Sequence, residues 1–226
     1  MNKITIFVGN YGSGKTEIAL NAAFKLKDQG KDVILADIDI VNPYFRSSEH
    51  KELLNEKGIR VIMPPGANSN VDLPSLPVDI YAVFDSGSYV VMDCGGDPAG
   101  ATALGALKHK IDAVKSDVKL YFVLNARRPL QGSIDETLEM LNSIEYVSHL
   151  KVDGIINNTN LADETSVEDL IYGQEVAIGL SEKTGIPISY ISGESTVLEE
   201  FKRRFPEYTD KLMPINIYMR PYWQKE

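Results

Sequence analysis

Residues 9–16 read Gly9-Asn10-Tyr11-Gly12-Ser13-Gly14-Lys15-Thr16, a full G-x-x-x-x-G-K-[ST] pattern. The spacing is that of a phosphate cradle, because glycines let consecutive backbone N–H groups turn inward onto anionic oxygens. A helix opening at Lys15 would add its positive end. Lys15 reaches the β- and γ-phosphates, and the Thr16 hydroxyl takes a position on Mg²⁺. Gly9, Asn10, Gly12, Ser13 and Gly14, with Glu17 just beyond, are expected to line the same ligand. Two sets of carboxylates could face it. Asp37 and Asp39 alternate in Ala36-Asp37-Ile38-Asp39, which puts both on one face of a strand end. Asp93 closes an apolar run and begins Asp93-Cys94-Gly95-Gly96-Asp97-Pro98-Ala99-Gly100. An acid at that place suits a metal-holding carboxylate, and a second acid in the Gly-rich loop suits a mobile sensor of the γ-phosphate. Asp-Pro is also a turn signal, so a turn-forming Asp97 is the plain alternative.

The elements that must position these residues follow from pattern. Lys3–Val8 is a short β-branched run, and the Gly-rich turn follows it directly. Thr16–Leu26 has Ile18, Ala19, Ala22, Ala23 and Leu26 at helical spacing and stops at Gly30. Val33–Ala36 and Arg60–Met63 read as strands, with the end of a helix at Leu53–Lys57. Pro64–Pro77 is proline-rich loop, able to wall a substrate pocket. Tyr89–Cys94 and Leu120–Leu124 are near-continuous apolar runs, as in strands buried on both faces. Ser133-Ile-Asp-Glu136 is a capping box that opens a helix to about Leu150, and Thr165-Ser-Val-Glu168 reads as another, to about Lys183. Gly154–Asn157 and Ile188–Ile191 are strands between them. Strands alternating with helices predict a doubly wound α/β fold around a mostly parallel sheet, in one domain over residues 1–226.

Composition narrows the partners. With 43% hydrophobic and 24% charged residues in 226, the chain is neither disordered nor fibrous. A net charge of -9 disfavours a general grip on nucleic acid or anionic membrane. Lys202-Arg203-Arg204 is a tight basic cluster and reads as a solvated helix face. The single cysteine, Cys94, excludes an intramolecular disulfide and a Cys-rich metal site. His50, His109 and His149 lack metal-ligand spacing. No apolar run approaches a membrane span and no signal-peptide layout precedes the first strand, so a cytoplasmic protein is expected.

Taken together, these motifs resemble the CobQ/CobB/MinD/ParA class of P-loop ATPases with a deviant Walker motif. That class includes division-site and partition ATPases, the nitrogenase iron protein, dethiobiotin synthetase and cobyrinic acid a,c-diamide synthase. Gly9–Thr16 matches its phosphate loop, Asp37-x-Asp39 its switch I acids, and Asp93-Cys-Gly-Gly-Asp97 the D-x-x-G-D form of switch II. The resemblance implies a P-loop NTPase fold, ATP and Mg²⁺ as ligands, and a homodimer. It implies Thr16, Asp93 and Asp37 on the metal, with Lys15, Asp39 and Asp97 in hydrolysis. Gly154-Ile-Ile-Asn-Asn158-Thr159 matches the stretch whose Asn hydrogen-bonds adenine, at Asn158 or, as second choice, Asn157; a cap on its own turn is the alternative. Two positions depart from the partition and division members. The lysine that follows their first glycine is Asn10 here, and Glu17 stands where they often have Thr.

Three function classes follow. The first is an ATP-hydrolysing switch that passes its nucleotide state to a protein partner. The second is an ATP-dependent ligase or kinase acting on a small molecule, favoured by the missing lysine. A non-catalytic binding module is the third, and the pairing of Lys15 and Thr16 with Asp93 argues against it. Length excludes an amidotransferase carrying its own glutaminase half. Because Asn10 is neutral, some other cation must offset phosphate charge or hydrolysis stays slow; Arg46 in Val41-Asn-Pro-Tyr-Phe-Arg46 is the nearest by sequence, with a surface residue or a cap on the next helix as the plain alternative. The tail Ile215–Trp223, with Tyr218, Met219, Tyr222 and Trp223, reads as core packing or as a docking segment.

Overall fold

The computed structural model of the chain describes residues 2–39, 51–63, 76, 78–96 and 98–219. Eight strands form one sheet: β1 (Ile4–Val8), β2 (Val33–Ile38), β3 (Arg60–Ile62), β4 (Tyr89–Cys94), β5 (Val118–Leu124), β6 (Gly154–Asn157), β7 (Ile188–Gly193) and β8 (Leu212–Pro214). Every pairing is parallel, in the order β3-β2-β4-β1-β5-β6-β7-β8. The helices are α1 (Lys15–Asp28), α2 (Lys51–Glu56), α3 (Pro98–Ala106), α4 (Lys108–Ala113), α5 (Ile134–Ser148), α6 (Val167–Thr184) and α7 (Ser195–Arg204).

The sheet is apolar on both faces because helices cover both. On one face Phe7, Leu35, Val91, Val123 and Ile156 pack with Ile18, Ala19, Ala22 and Ala23 of α1. On the other, Ile6, Ile34, Met92 and Phe122 pack with Leu104, Leu141, Leu180 and Phe201. Neighbours in sequence thus alternate between two cores, which is why the central strands read as unbroken apolar runs. Short Ala side chains at 19, 22 and 23 let α1 lie close to the sheet, which sets the depth of the phosphate loop at its start. No helix among the described residues is long and apolar enough to cross a membrane.

Several boundaries differ from the sequence reading. The second capping box begins at Ser166, not Thr165: Ser166 Oγ accepts from Asp169 N, and the Asp169 carboxylate accepts from Ser166 N. Thr165 is diverted, its hydroxyl donating to Ala162 O and accepting from Leu161 N to close the preceding turn. Strand β8 was not expected; it is a three-residue edge strand with one buried residue, Met213, too short for a readable alternation. Arg46, the Pro64–Pro77 loop except residue 76, and the tail beyond Met219 lie outside the described residues.

The Asp169 carboxylate also accepts from Arg127 Nε at 2.7 Å, so one acid caps α6 and anchors the loop after β5. Ser166→Ala should cost about 1 kcal/mol in denaturant unfolding through loss of the cap alone. Asp169→Ala should cost more, because the Arg127 link goes with it. Equal losses would mean the loop anchor contributes nothing to stability.

Candidate functional site

Sheet order places the chemistry. In a parallel α/β sheet ligands gather at the carboxyl ends of the strands. β1 delivers the phosphate loop there and lies between β4 and β5. On its β4 side stand the acids: Asp93 ends β4, and Asp37 on β2 pairs with it in register, so both side chains leave the same face. On its β5 side lie the ends of β6 and β7, roughly 10 and 14 Å from β1 at about 4.8 Å per strand. The phosphate loop and the acids therefore share the β4 and β1 end of the sheet, and the ends of β6 and β7 lie on the other side of β1.

The loop is held by its own backbone and by its neighbours. Gly14 has φ 90, a left-handed conformation that caps α1, and a Cβ there would fall 2.2 Å from Asn158 Nδ2. Lys15 is buried and folds back so that Nζ donates to Asn10 O at 3.0 Å. Gly96 lies flush on the loop: a Cβ would meet Tyr11 Cα at 2.7 Å and Lys15 Nζ at 2.9 Å, so only glycine lets the two segments touch.

Thr16, Asp93, Asp37 and Asp39 gather beside Lys15. Thr16 hydrogen-bonds to Asp93, and Asp39 N donates to Asp37 Oδ1 at 3.0 Å. Burial, then the neighbouring Asp37 charge, pushes the Asp93 carboxyl up to about 8, against the opposite pull of Lys15 and Thr16. Asp93 Oδ1 is buried with no hydrogen-bond partner among the described residues, and so is Ser13 Oγ in the loop. A buried oxygen left in that condition beside a hydroxyl fits a divalent cation. No group of three His, Cys, Asp or Glu side chains among the described residues forms a cage of its own. Mg²⁺ keeps waters and takes one or two carboxylates plus phosphate oxygens. Thr16 and Asp93 would hold it, with Asp37 behind them. Asp97 lies outside the described residues.

The remaining expected residues have partners that sequence did not reveal. Asn10 bridges two segments: Oδ1 accepts from Tyr11 N within the loop, and Nδ2 donates to Pro129 O at 3.0 Å. Glu17 accepts from the backbone N–H of Tyr218 at 2.7 Å and Met219 at 3.0 Å, so its carboxylate straps the 215–219 segment across α1. Burial raises its carboxyl above the usual range. Asn158 Nδ2 donates to Ser13 O at 2.8 Å, and its Oδ1 accepts from Ser192 Oγ at 2.8 Å. Asn157 is turned to α6, donating to Leu170 O and Gln174 Oε1. Between the two asparagines, Asn158 is the one at the phosphate loop.

A cavity of about 650 Å³ joins these parts. The phosphate loop forms one end. Asn160, Asp163, Gly193, Glu194 and Val197 follow β6 and β7, and Ile215, Ile217 and Met219 close an apolar wall. The sequence reading missed Arg128, Asn160, Glu194 and the 215–219 wall as lining residues. Arg127-Arg128-Pro129 comes two residues after the apolar run of β5, a position where ligands are expected, and that signal was available.

A raised carboxyl has a pH signature. Near 4 in the unfolded chain and about 8 in the fold, Asp93 holds a proton more tightly when folded. Its stabilising contribution is full below about pH 4 and is lost as pH rises through about 8. The Mg²⁺-free protein should therefore lose stability between pH 5 and 8, and Asp93→Asn should flatten that slope and raise the melting temperature at pH 8. Unfolding curves of both proteins at pH 5, 6.5 and 8 check this; parallel slopes would refute it.

No family model matches the chain, and no curated protein does. Solved structures do. FtsY from Mycoplasma mycoides superposes with a TM-score of 0.55 at 20% identity, over 87% of this chain and 62% of that one. The cell division protein FtsY from Thermotoga maritima gives 0.55 at 20%, over 86% and 62%. The signal recognition particle 54 kDa protein from Aeropyrum pernix, in complex with GDP, gives 0.54 at 21%, over 90% and 45%. The chain thus spans less than two thirds of the length of each. At such identities the likeness speaks for the fold, and the fold is the α/β fold of the P-loop nucleoside triphosphatases, built on one eight-stranded parallel sheet.

Proposed function

We propose that the chain is a Mg²⁺-dependent ATP-hydrolysing switch of the CobQ/CobB/MinD/ParA type, one nucleotide-binding domain over residues 1–226, acting in the cytoplasm as a homodimer on a protein partner. The observation that carries the reading is the meeting of buried Lys15 and Asp93 with the Thr16 hydroxyl at the phosphate loop. Bound Mg²⁺ would neutralise charge on the phosphate oxygens. The chain's own groups do the rest. Lys15 takes phosphate oxygens, and Asp39 and Asp97 orient the attacking water. That water's oxygen bonds to the γ-phosphorus as the bond to the β–γ bridging oxygen breaks, leaving the nucleoside diphosphate, inorganic phosphate and a proton. Exposed Tyr11, Leu130 and Leu161 stand in or beside residues that line the cavity, which favours a partner surface at its mouth.

Lys15→Ala should weaken Mg-ATP binding at least tenfold in calorimetry, because phosphate charge loses its nearest cation. Asp97→Asn should bind normally and turn over slowly. Equal affinity in wild type and Lys15→Ala would remove the phosphate-loop assignment, and wild-type turnover in Asp97→Asn would leave that residue a turn former. Sedimentation with a slowly hydrolysed analogue should show a dimer that the nucleotide-free chain lacks.

Adenine rests on Asn158. With one N–H given to Ser13 and one lone pair taken by Ser192, its amide keeps one donor and one acceptor, enough for a purine edge. A guanine reading is favoured by Asp163 and Glu194 on the cavity wall, since a carboxylate accepts readily from guanine N1–H and N2–H. The Aeropyrum pernix protein carries GDP. Competition of ATP and GTP against a labelled analogue should favour ATP by tenfold or more; a preference for GTP would transfer the reading to guanine. The second function, a small-molecule ligase or kinase, draws on the size of the cavity, which has room beyond a nucleotide's phosphates.

A further inference from the structure

The neutral Asn10 leaves a charge deficit, and the cavity wall shows what is available to fill it. Among the described residues lining the cavity, only Lys15 and Arg128 are cations, while Glu17, Asp39, Asp163 and Glu194 are acids. A polyphosphate entering there meets more negative than positive charge, at distances where each unscreened pair matters.

Arg128 is displayed by a platform that has no evident need of it. Asn125 and Asn160 bond each other's segments, Nδ2 of Asn125 to Asn160 O and Asn160 N to Asn125 Oδ1. Ala126 N donates to Thr159 Oγ1, and Asn125 N donates to Gln131 Oε1. Arg127 is used up by Asp169 and by the face of Tyr172, 4.6 Å from its ring centre. The next residue is different. Arg128 is exposed, pairs with no carboxylate among the described residues, and donates Nε to Gly12 O at 3.1 Å. That bond fixes the head of the guanidinium against the phosphate loop and leaves both Nη groups to bind something else. Asn10 takes part in the same arrangement, since its amide holds Pro129 O and so docks the arginine-bearing loop.

We infer that Arg128 is the cis-acting cation of this site: docked on Gly12, it contacts the phosphate groups of the bound nucleotide and supplies the charge that residue 10 lacks. Asn10 is then a positioning residue for Arg128. The guanidinium fork matches phosphate oxygens in a way that a neutral donor does not. This inference rests on the nucleotide-binding reading above, and the experiment separates the two.

Equilibrium binding of Mg-ATPγS and Mg-ADP, or of their guanine counterparts if competition selects guanine, is measured for wild type, Lys15→Ala, Arg128→Ala, Arg128→Lys and Arg128→Gln at low and high salt. Arg128→Ala should bind about tenfold more weakly at low salt, with the gap narrowing at high salt. Arg128→Lys should recover most of the loss and Arg128→Gln little of it, with melting temperatures unchanged. Wild-type affinity in Arg128→Ala, or full recovery in Arg128→Gln, would overturn the inference, the latter because a neutral bond to Gly12 would then suffice. If Lys15→Ala also binds as wild type, the failure belongs to the phosphate-loop reading instead.

Discussion

Everything in this molecule turns on burying carboxylates beside a lysine at the centre of an apolar sheet. Asp37 and Asp93 are fully enclosed, side by side in register, where water cannot solvate them. Uncompensated charge at such depth is costly, and the fold answers it with Lys15, Thr16 and the positive start of α1. The compensation is incomplete, as the upward push on Asp93 records.

The rest of the architecture reads as a consequence. β1 must lie beside β4 so that the loop reaches the acids, and α1 must lie low on the sheet so that Lys15 and Thr16 reach them too. The segment after Asp93 leaves no room for a Cβ: at Gly95 one would meet Gly100 Cα at 2.7 Å and Asp39 Oδ1 at 3.1 Å, and at Gly96 it would meet Tyr11 of the loop. On the other flank, Asn158 and Ser192 link β6 and β7 to the Ser13 carbonyl, so the ends of those strands and the phosphate loop share hydrogen bonds. Glu17 extends the connection to the 215–219 segment, which both roofs the cavity and grips the first turn of α1. The phosphate loop is thus joined by short hydrogen-bonded links to the β5 loop and to the 215–219 segment.

Neighbouring arginines show how local context divides labour. Arg127 and Arg128 have the same side chain, yet one is consumed by Asp169 and Tyr172 while the other stands over Gly12. Nothing in their sequence separates them; their directions from the β5 loop do.

The sequence by itself determined the fold class, the phosphate loop and the alternation that brings acids to strand ends. Those are local properties: an apolar run, a glycine spacing and a period of two are complete within a few residues. It also carried the Ser133 capping box, whose partners are three residues apart. It misplaced the second by one residue, because Thr165 was claimed by the turn at Leu161 and Ala162. Tertiary structure alone decided what residues far apart in the chain do to one another. It gave Glu17 the backbone of Tyr218 and Met219 to hold, aimed Asn10 at Pro129, chose Asn158 over Asn157 as the neighbour of the loop, and brought Arg128 to Gly12. Each is a contact across 100 residues or more, apart from the choice between the two asparagines. Such contacts are set by strand order, and strand order is fixed by packing the whole sheet between its helices, which no short stretch of sequence encodes.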